Sequence, residues 1–246
     1  MMSRIARTAG IVAVLLALDY LLLVGLGLFL TKVLGAESSV INAEDNLNEG
    51  LAHDRTPTLN DVTYLLSGLG NTGAIIGALL VVSVGLLWAT KKWGPSLFLV
   101  VAVSGQALVF LFVTLTISRQ RPDVKRLDSS PPTSSFPSGH AGAATALFLG
   151  SALLVLWYVR NQLVKVIGLV LLVAVPLLVA YGRLYRGMHH PSDIAGAYLN
   201  GVLTVTIAAG VILAKGPLAR FAPDGGAADP QAATGGHRAE AATARR

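Results

Sequence analysis

Long uninterrupted runs of apolar residues dominate this chain, and short polar stretches separate them. A helix that crosses the hydrocarbon core of a bilayer needs about 20 apolar residues, with a range of about 17 to 25. Continuous apolarity favours helices over the weakly alternating segments of about 10 residues that form membrane barrels. The pattern therefore predicts an all-α, polytopic membrane bundle with six transmembrane helices. The six segments are residues 8–31, 62–90 with the span itself at about 72–90, 93–118, 141–159, 166–182 and 194–214.

The composition agrees with a membrane protein. Charged residues make up only 13% of the 246 residues, and hydrophobic residues make up 53%, whereas a soluble domain carries about 25% charged residues. The net charge is +6, but no Lys/Arg-rich run with interleaved aromatic residues is present, so we do not expect nucleic-acid binding. Because the chain has no cysteine, disulfides, thiolate catalysis and Cys-based metal sites are excluded.

The distribution of charge predicts how the bundle is oriented. Basic residues accumulate on the cytoplasmic side of membrane proteins, and the loop at 35–71 is mostly acidic, so we place that loop outside. High Ala, Gly and Arg content is typical of a GC-rich bacterium, so we expect a multi-pass plasma-membrane protein with both termini in the cytoplasm. The basic residues on the predicted cytoplasmic side are Arg4, Arg7, Lys91, Lys92, Arg160, Lys165, Lys215 and Arg220.

One membrane domain is expected over residues 1–215. Within the outer loop, Thr58 and Asp61 have the spacing of a capping box ahead of an apolar run, which predicts a short surface helix. The segment 216–246 is rich in Ala, Gly and charge and lacks an apolar period, so we predict a disordered cytoplasmic tail. The first apolar segment exceeds the about 7–15 residues of a signal peptide, so we expect it to be retained.

Three polar stretches carry the densest collection of phosphate-binding and acid–base side chains. Two apolar segments separate the second stretch from the third, and two crossings return the chain to the side that it left. All three stretches can therefore meet at the outer membrane face. Their loops are basic despite the positive-inside rule, and anion binding would explain that exception. The stretches are Arg121-Pro122, Pro137-Ser138-Gly139-His140 and Arg183-x5-His189-x3-Asp193.

His189 and Asp193 flank the predicted start of the last transmembrane helix. Pro191 suits the first helical position, because its missing N–H would be unpaired there. His190 then becomes the N-cap, and Asp193 lies in the first turn. From there Asp193 can reach one imidazole nitrogen of His189, which fixes the tautomer and leaves the other nitrogen free to attack.

The other two stretches supply complementary groups. Ser138 is a good N-cap residue, Gly139 lets the backbone approach a ligand, and His140 can donate a proton to a leaving oxygen. Arg121 and Arg183 carry planar guanidinium groups that match phosphate oxygens. These residue types indicate phosphoryl transfer, and their place at a membrane face indicates a phosphate carried by a lipid.

The stretches resemble the three signatures of the phosphatidic acid phosphatase type 2 (PAP2) superfamily, the membrane relatives of vanadium-dependent haloperoxidases. The resemblance spans residues 114–193 by motif. It implies a PAP2/haloperoxidase-like helical core and a metal-independent phosphatase, which hydrolyses the phosphomonoester or pyrophosphate of a membrane lipid at the extracytoplasmic face. The family pattern Lys-x6-Arg-Pro, Pro-Ser-Gly-His and Ser-Arg-x5-His-x3-Asp reads here as Thr114-x6-Arg121-Pro122, Pro137-Ser138-Gly139-His140 and Gly182-Arg183-x5-His189-x3-Asp193.

The resemblance also implies a role for each matched residue. His189 would be the nucleophile that forms a phosphohistidine, and Asp193 would orient it and stabilise its charge. His140 would protonate the leaving group and then activate water. No metal or other cofactor is needed in this scheme. The phosphoryl oxygens would be held by Arg121, Arg183, Ser138 and Gly139.

Two positions depart from the family pattern. Thr114 stands at the family lysine, which removes one cation from the phosphate site, and Gly182 stands at the family serine. Arg119 and Lys125 are auxiliary candidates for the missing cation, with Thr114 itself as a third. Both departures leave open the affinity for phosphate and the choice between polyprenyl and glycerophospholipid phosphates.

Other functions remain as alternatives. A non-catalytic transporter of anions or lipid phosphates would use the same basic site. His189, His190 and Asp193, with His140, offer ligands for zinc, although arginines nearby would repel a cation. A serine hydrolase built on Ser138 is disfavoured by the absence of a Gly-x-Ser-x-Gly elbow.

Two charged residues outside the motifs have structural interpretations. Arg186 is expected to extend to the membrane interface. Asp19, within the first apolar segment, should face a polar helix partner such as Gln106.

Overall fold

The computed structural model describes residues 2–34, 38–129 and 132–213, so the predicted tail at 216–246 lies outside the described residues. Within them the chain forms eight α-helices and no β-strand. The helices are α1 (Met2–Leu28, continued by a π-helix at Phe29–Leu34), α2 (Ser39–His53), α3 (Pro57–Gly68), α4 (Thr72–Thr90), α5 (Gly94–Thr116), α6 (Gly139–Tyr158), α7 (Gln162–Tyr185) and α8 (Pro191–Ala208, continued by a π-helix at Ala209–Leu213).

Six of these helices are long and apolar enough to cross a membrane, which confirms the predicted all-α bundle of six spans. They are α1 and α4 to α8. Helices α5, α6 and α8 pack against one another, α7 packs along α6, and α1 lies against α5 and α8. Only 6% of the α4 span is buried, against 56% of the α8 span, so α4 is a peripheral helix whose apolar surface is left for the bilayer.

Small residues bring α6 close to its neighbours. A Cβ at Gly201 of α8 would lie 2.6 Å from Cβ of Thr145, and one at Gly142 would overlap Nε2 of Gln106. Small residues at such crossings let membrane helices approach through close packing. The amino-terminal ends of α6 and α8 are consequently adjacent.

The outer loop forms two helices rather than one. Helix α3 was predicted, but Thr56 is its N-cap, accepting from Leu59 N at 3.2 Å, and Pro57 occupies its first position. The predicted cap at Thr58 is therefore wrong by two residues, because Pro57 suits the helix start. Helix α2 was not predicted, because the residues on its buried face, Glu44 and Asn48, are polar.

Asp19 is buried in the bundle, with 3% of its surface exposed. Its carboxylate oxygens have no hydrogen-bond partner among the described residues, so the predicted bond with Gln106 is not formed. The amide of Gln106 lies instead against Gly142 of α6.

Candidate active site

The three polar stretches converge at one end of the bundle, around a single cavity of about 910 Å³. Its lining includes Arg121, His140, Arg183 and His189. These side chains come from the loop after α5, the start of α6, the end of α7 and the turn before α8. The structure thus brings together the two histidines and two arginines that the sequence placed on one membrane face. We call this space the site cavity.

A backbone carbonyl orients the imidazole of His189. Nδ1 lies 2.9 Å from the carbonyl oxygen of Ser135, and since a carbonyl only accepts, Nδ1 carries the proton. Nε2 then keeps its lone pair. The side chain is almost fully buried, and this burial lowers the pKa of His189 to about 4, against the opposing effect of the nearby Asp193 carboxylate. The imidazole is therefore neutral at pH 7 and has one nitrogen available for attack.

Asp193 does not hydrogen-bond His189 directly, contrary to the prediction. Its Oδ2 lies 3.7 Å from Nδ1, beyond hydrogen-bond distance. This oxygen accepts instead from the Ser135 hydroxyl and from the His190 backbone N–H, the latter at 2.8 Å. The reason is local: His190 is the N-cap of α8 and Pro191 its first residue, as predicted, so Asp193 turns back onto the helix start. Asp193 acts on His189 through its charge and through Ser135.

The start of α6 places His140 in the site cavity. Ser138 is the N-cap, and its Oγ accepts from Ala141 N at 3.4 Å. Ser138 is fully buried and does not line the cavity, which leaves the serine hydrolase without an exposed nucleophile. A Cβ at Gly139 would lie 2.8 Å from the Phe110 ring, so a larger residue there would require that ring to shift.

Arg121 and Arg183 both line the site cavity, and each also donates to protein acceptors. Nη1 of Arg121 donates to the carbonyl oxygen of Met188 at 2.7 Å. Nη1 of Arg183 donates to Ser67 Oγ at 2.9 Å and to Asp128 at 3.0 Å. Burial lowers the pKa of Arg121, but an arginine remains charged at neutral pH.

Arg186 is buried rather than extended to the interface, so that prediction is wrong. Its Nε and Nη2 both donate to the carboxylate of Asp128. Burial alone would raise the pKa of Asp128, but its hydrogen bonds with Arg186 and the charges of Arg186 and Arg183 outweigh burial and lower it. The paired carboxylate ties the loop after α5 to α7.

None of the three auxiliary candidates lines the site cavity. Both terminal nitrogens of Arg119 donate to carboxylate oxygens, with Nη1 at 2.6 Å from Asp193 and Nη2 at 2.8 Å from Glu44. Lys125 is exposed, and the Thr114 hydroxyl donates to Leu111 O in its own helix. The missing family lysine thus has no replacement among these three.

The two adjacent histidines of the alternative metal site, His189 and His190, have different surroundings. Nε2 of His190 lies 3.5 Å from Asp45, outside the site cavity, whereas His189 lines it. Within the described ranges, no group of three His, Cys, Asp or Glu side chains has the arrangement of a metal site.

Several residues of the site carried no signal in the sequence. Ser135 lies next to a recognised motif but outside it, while Ser67 and Glu44 belong to the outer loop. Asp128 is one of two acids in a basic loop and belongs to none of the motifs. Each reaches the site through tertiary contacts that a motif does not encode.

Comparison with known proteins adds independent findings. A family model described as the PAP2 superfamily matches residues 94–216, half of the chain. Phosphatidylglycerophosphatase B of Bacillus subtilis (strain 168) is 26% identical over 171 residues, covering 68% of this chain and 81% of that protein. A crystal structure of a transmembrane PAP2-type phosphatidylglycerolphosphate phosphatase from Bacillus subtilis superposes with a TM-score of 0.65 at 22% identity, covering 79% of this chain and 92% of that one. The crystal structure of Aquifex aeolicus LpxE gives a TM-score of 0.53 at 21% identity, covering 66% and 92%.

Proposed function

The chain belongs to the PAP2 superfamily, and on that premise we propose that it hydrolyses the phosphomonoester or pyrophosphate of a membrane lipid through a phosphohistidine. Its similarity to phosphatidylglycerophosphatase B supports the activity of a lipid phosphatase in the membrane. One observation carries the proposal: His189, His140, Arg121 and Arg183 line one cavity, and the tautomer of His189 leaves the lone pair on Nε2.

These groups suffice for a double displacement. Nε2 of His189 attacks phosphorus, the bond from phosphorus to the leaving oxygen breaks, and His140 donates the proton that this oxygen takes up. His140, now neutral, removes a proton from water, which attacks the phosphohistidine and returns the lone pair to Nε2. Arg121 and Arg183 stabilise the charge on the phosphoryl oxygens, and the charge of Asp193 stabilises the imidazolium.

Ser138 has a positioning part in this scheme. As the N-cap of α6 it fixes the start of the helix, while the backbone at Gly139 faces the site cavity and can donate to a phosphoryl oxygen. The amino-terminal end of a helix favours bound phosphate.

An apolar extension of the site cavity supports a lipid substrate. Apolar residues from α4 and α5 also line the cavity, namely Ile75, Ile76, Leu79, Val103 and Phe110. The hydrocarbon tail of a membrane lipid placed there would exchange contacts with the bilayer for contacts with these apolar side chains, so the tail would not enter water when the phosphate binds. The phosphate would then lie at the polar end and the tail between helices.

We also propose that the site faces the extracytoplasmic side of the plasma membrane, with both termini cytoplasmic. The charge distribution supports this orientation, since Lys91, Lys92, Arg160 and Lys165 flank turns at the opposite end of the bundle. The proposed membrane domain comprises residues 1–215.

Phosphate release from a panel of lipid mono- and diphosphates tests the function. Purified protein in detergent with excess EDTA should release phosphate, and His189→Ala should abolish release. His53→Ala is the matched control, because this α2 side chain is 89% exposed and should leave the rate unchanged. Equal release by His189→Ala, activity that the chelator removes, or transport of lipid phosphate without release would overturn the proposal.

A further inference from the structure

Helix α2 buries a carboxylate that the proposed chemistry does not use. The side chain of Glu44 is only 8% exposed, although α2 lies in the outer loop, far along the chain from the matched motifs. A buried charge is costly unless it is paired and hydrogen-bonded. Its partners therefore show what it does.

Glu44 holds the first turn of α8. Oε1 accepts from the Ser192 backbone N–H at 2.6 Å, and Oε2 accepts from the Ser192 hydroxyl at 3.0 Å. An anion at a helix amino terminus satisfies unpaired N–H groups and interacts favourably with the helix dipole. The same turn of α8 carries Asp193.

Arg119 joins Glu44 to Asp193. Nη2 lies 2.8 Å from Glu44 Oε2, and Nη1 lies 2.6 Å from Asp193 Oδ1. Nη1 also donates to Ser192 Oγ at 2.6 Å. The guanidinium group and the two carboxylates are all shielded from water, and charge interactions are stronger in such a buried environment than in water. The chain of contacts runs from α2 through Arg119 to the carboxylate behind His189.

The charges of this cluster suit the reaction. Two carboxylates and one guanidinium sum to a single negative charge beside a neutral His189. When Nε2 takes up a phosphoryl group and Nδ1 keeps its proton, the ring becomes positive. The negative cluster then lies next to the positive ring, in a buried setting that does not need to reorganise.

We propose that Glu44 is a positioning residue of the active site, which acts through Arg119 and Ser192 to hold Asp193 and the start of α8. The outer helix α2, which lies outside the matched residues 94–216, is then part of the catalytic apparatus. This inference rests on the proposed role of His189.

Glu44→Gln tests the inference, with Glu49→Gln as the control. Both make the same chemical change on α2, but Glu49 is exposed. We expect Glu44→Gln to lower kcat about tenfold, a size typical of residues that orient a ligating or reacting group, with KM within about twofold of wild type. Glu49→Gln should leave both constants unchanged. A simple loss of folded protein would not lower kcat per folded molecule.

A double variant shows whether the effect passes through Arg119. If it does, Glu44→Gln adds little to the loss caused by Arg119→Gln, since coupled residues are not additive. Should Glu44→Gln fail to fold, Glu44→Asp keeps the charge but shortens its reach, and an intermediate kcat is expected.

Wild-type kcat in the folded Glu44 variant, a rise in KM alone, or fully additive losses would overturn the inference. Assays of wild type and His189→Ala in the same preparation separate it from the proposed function. If His189→Ala remains active, the proposed function fails; if only the Glu44 variants match wild type, the inference alone fails.

Discussion

At the scale of single residues, the proposed nucleophile His189 is oriented by what surrounds Nδ1 rather than by a direct carboxylate contact. The Ser135 carbonyl fixes the tautomer, and burial keeps the ring neutral. Asp193, held by Arg119 and the start of α8, supplies negative charge at 3.7 Å. In the proposed mechanism this nitrogen needs no proton removed before it attacks.

The titration of His189 follows from its burial. Folding lowers the pKa of the His189 imidazole from 6.5 to about 4. Between pH 4 and pH 6.5 the imidazole is therefore protonated in the unfolded chain but neutral in the folded protein. This group therefore favours the folded state above pH 6.5, and that contribution is lost as the pH falls through 4. We expect its nitrogen-15 signal, assigned by its loss in His189→Gln, to titrate near pH 4. A midpoint near 6.5 would contradict this description of the site.

The motifs identified four residues that line the cavity. They could be placed on one membrane face because two successive spans return the chain to the side that it left. It did not predict how those residues are held. The partners of Asp193 and His189 depend on the path of the loop before α6 and on Arg119. Spacing also cannot show which basic residues face the cavity and which form ion pairs. Arg121 and Arg183 line the cavity, while Arg186 pairs with Asp128.

At the scale of elements, α3 explains why Gly182 replaces the serine of the family pattern. A Cβ there would lie 3.0 Å from the backbone nitrogen of Ser67 and 3.2 Å from the carbonyl oxygen of Thr63. Glycine lets α3 lie directly on α7, and that contact brings the Ser67 hydroxyl to Arg183. The departure from the pattern is thus coupled to α3, which orients Arg183, one of the two arginines proposed to bind phosphate.

Gly182→Ala should consequently destabilise the protein by about 1–3 kcal/mol, as overpacking does. Gly168→Ala in the same helix is the control, because its Cβ would meet Val155 at an ordinary 3.5 Å. Thermal unfolding in detergent measures both. A Gly182→Ala midpoint equal to that of Gly168→Ala would show that α3 is not closely packed there.

Hydrophobic pattern predicted the six spans because bilayer burial requires long apolar runs. The same criterion missed α2, whose buried face presents Glu44 and Asn48 to polar partners. It placed α3 but not its first residue, which depends on Thr56 and Pro57. Helices that pack on loops rather than in lipid need no long apolar run, so the hydrophobic pattern predicts them poorly.

At the scale of the whole molecule, a six-helix bundle carries a polar outer layer formed by α2, α3 and the loops that bear the motifs. The proposed topology puts this layer outside the cell. The absence of cysteine makes it directly testable. In intact cells a membrane-impermeant maleimide should label His53→Cys but not Arg160→Cys, which lies at the opposite end of the bundle. Labelling of Arg160→Cys alone would invert the proposed orientation.

Trapping of the covalent intermediate tests the central claim most directly. Protein mixed with a lipid phosphate that is radiolabelled in its terminal phosphoryl group should, after rapid quenching in base, retain label on the peptide containing His189. The label should be lost in acid, as expected for a phosphorus–nitrogen bond, and His189→Ala should carry none. Label on another residue, or turnover without any labelled peptide, would contradict the account.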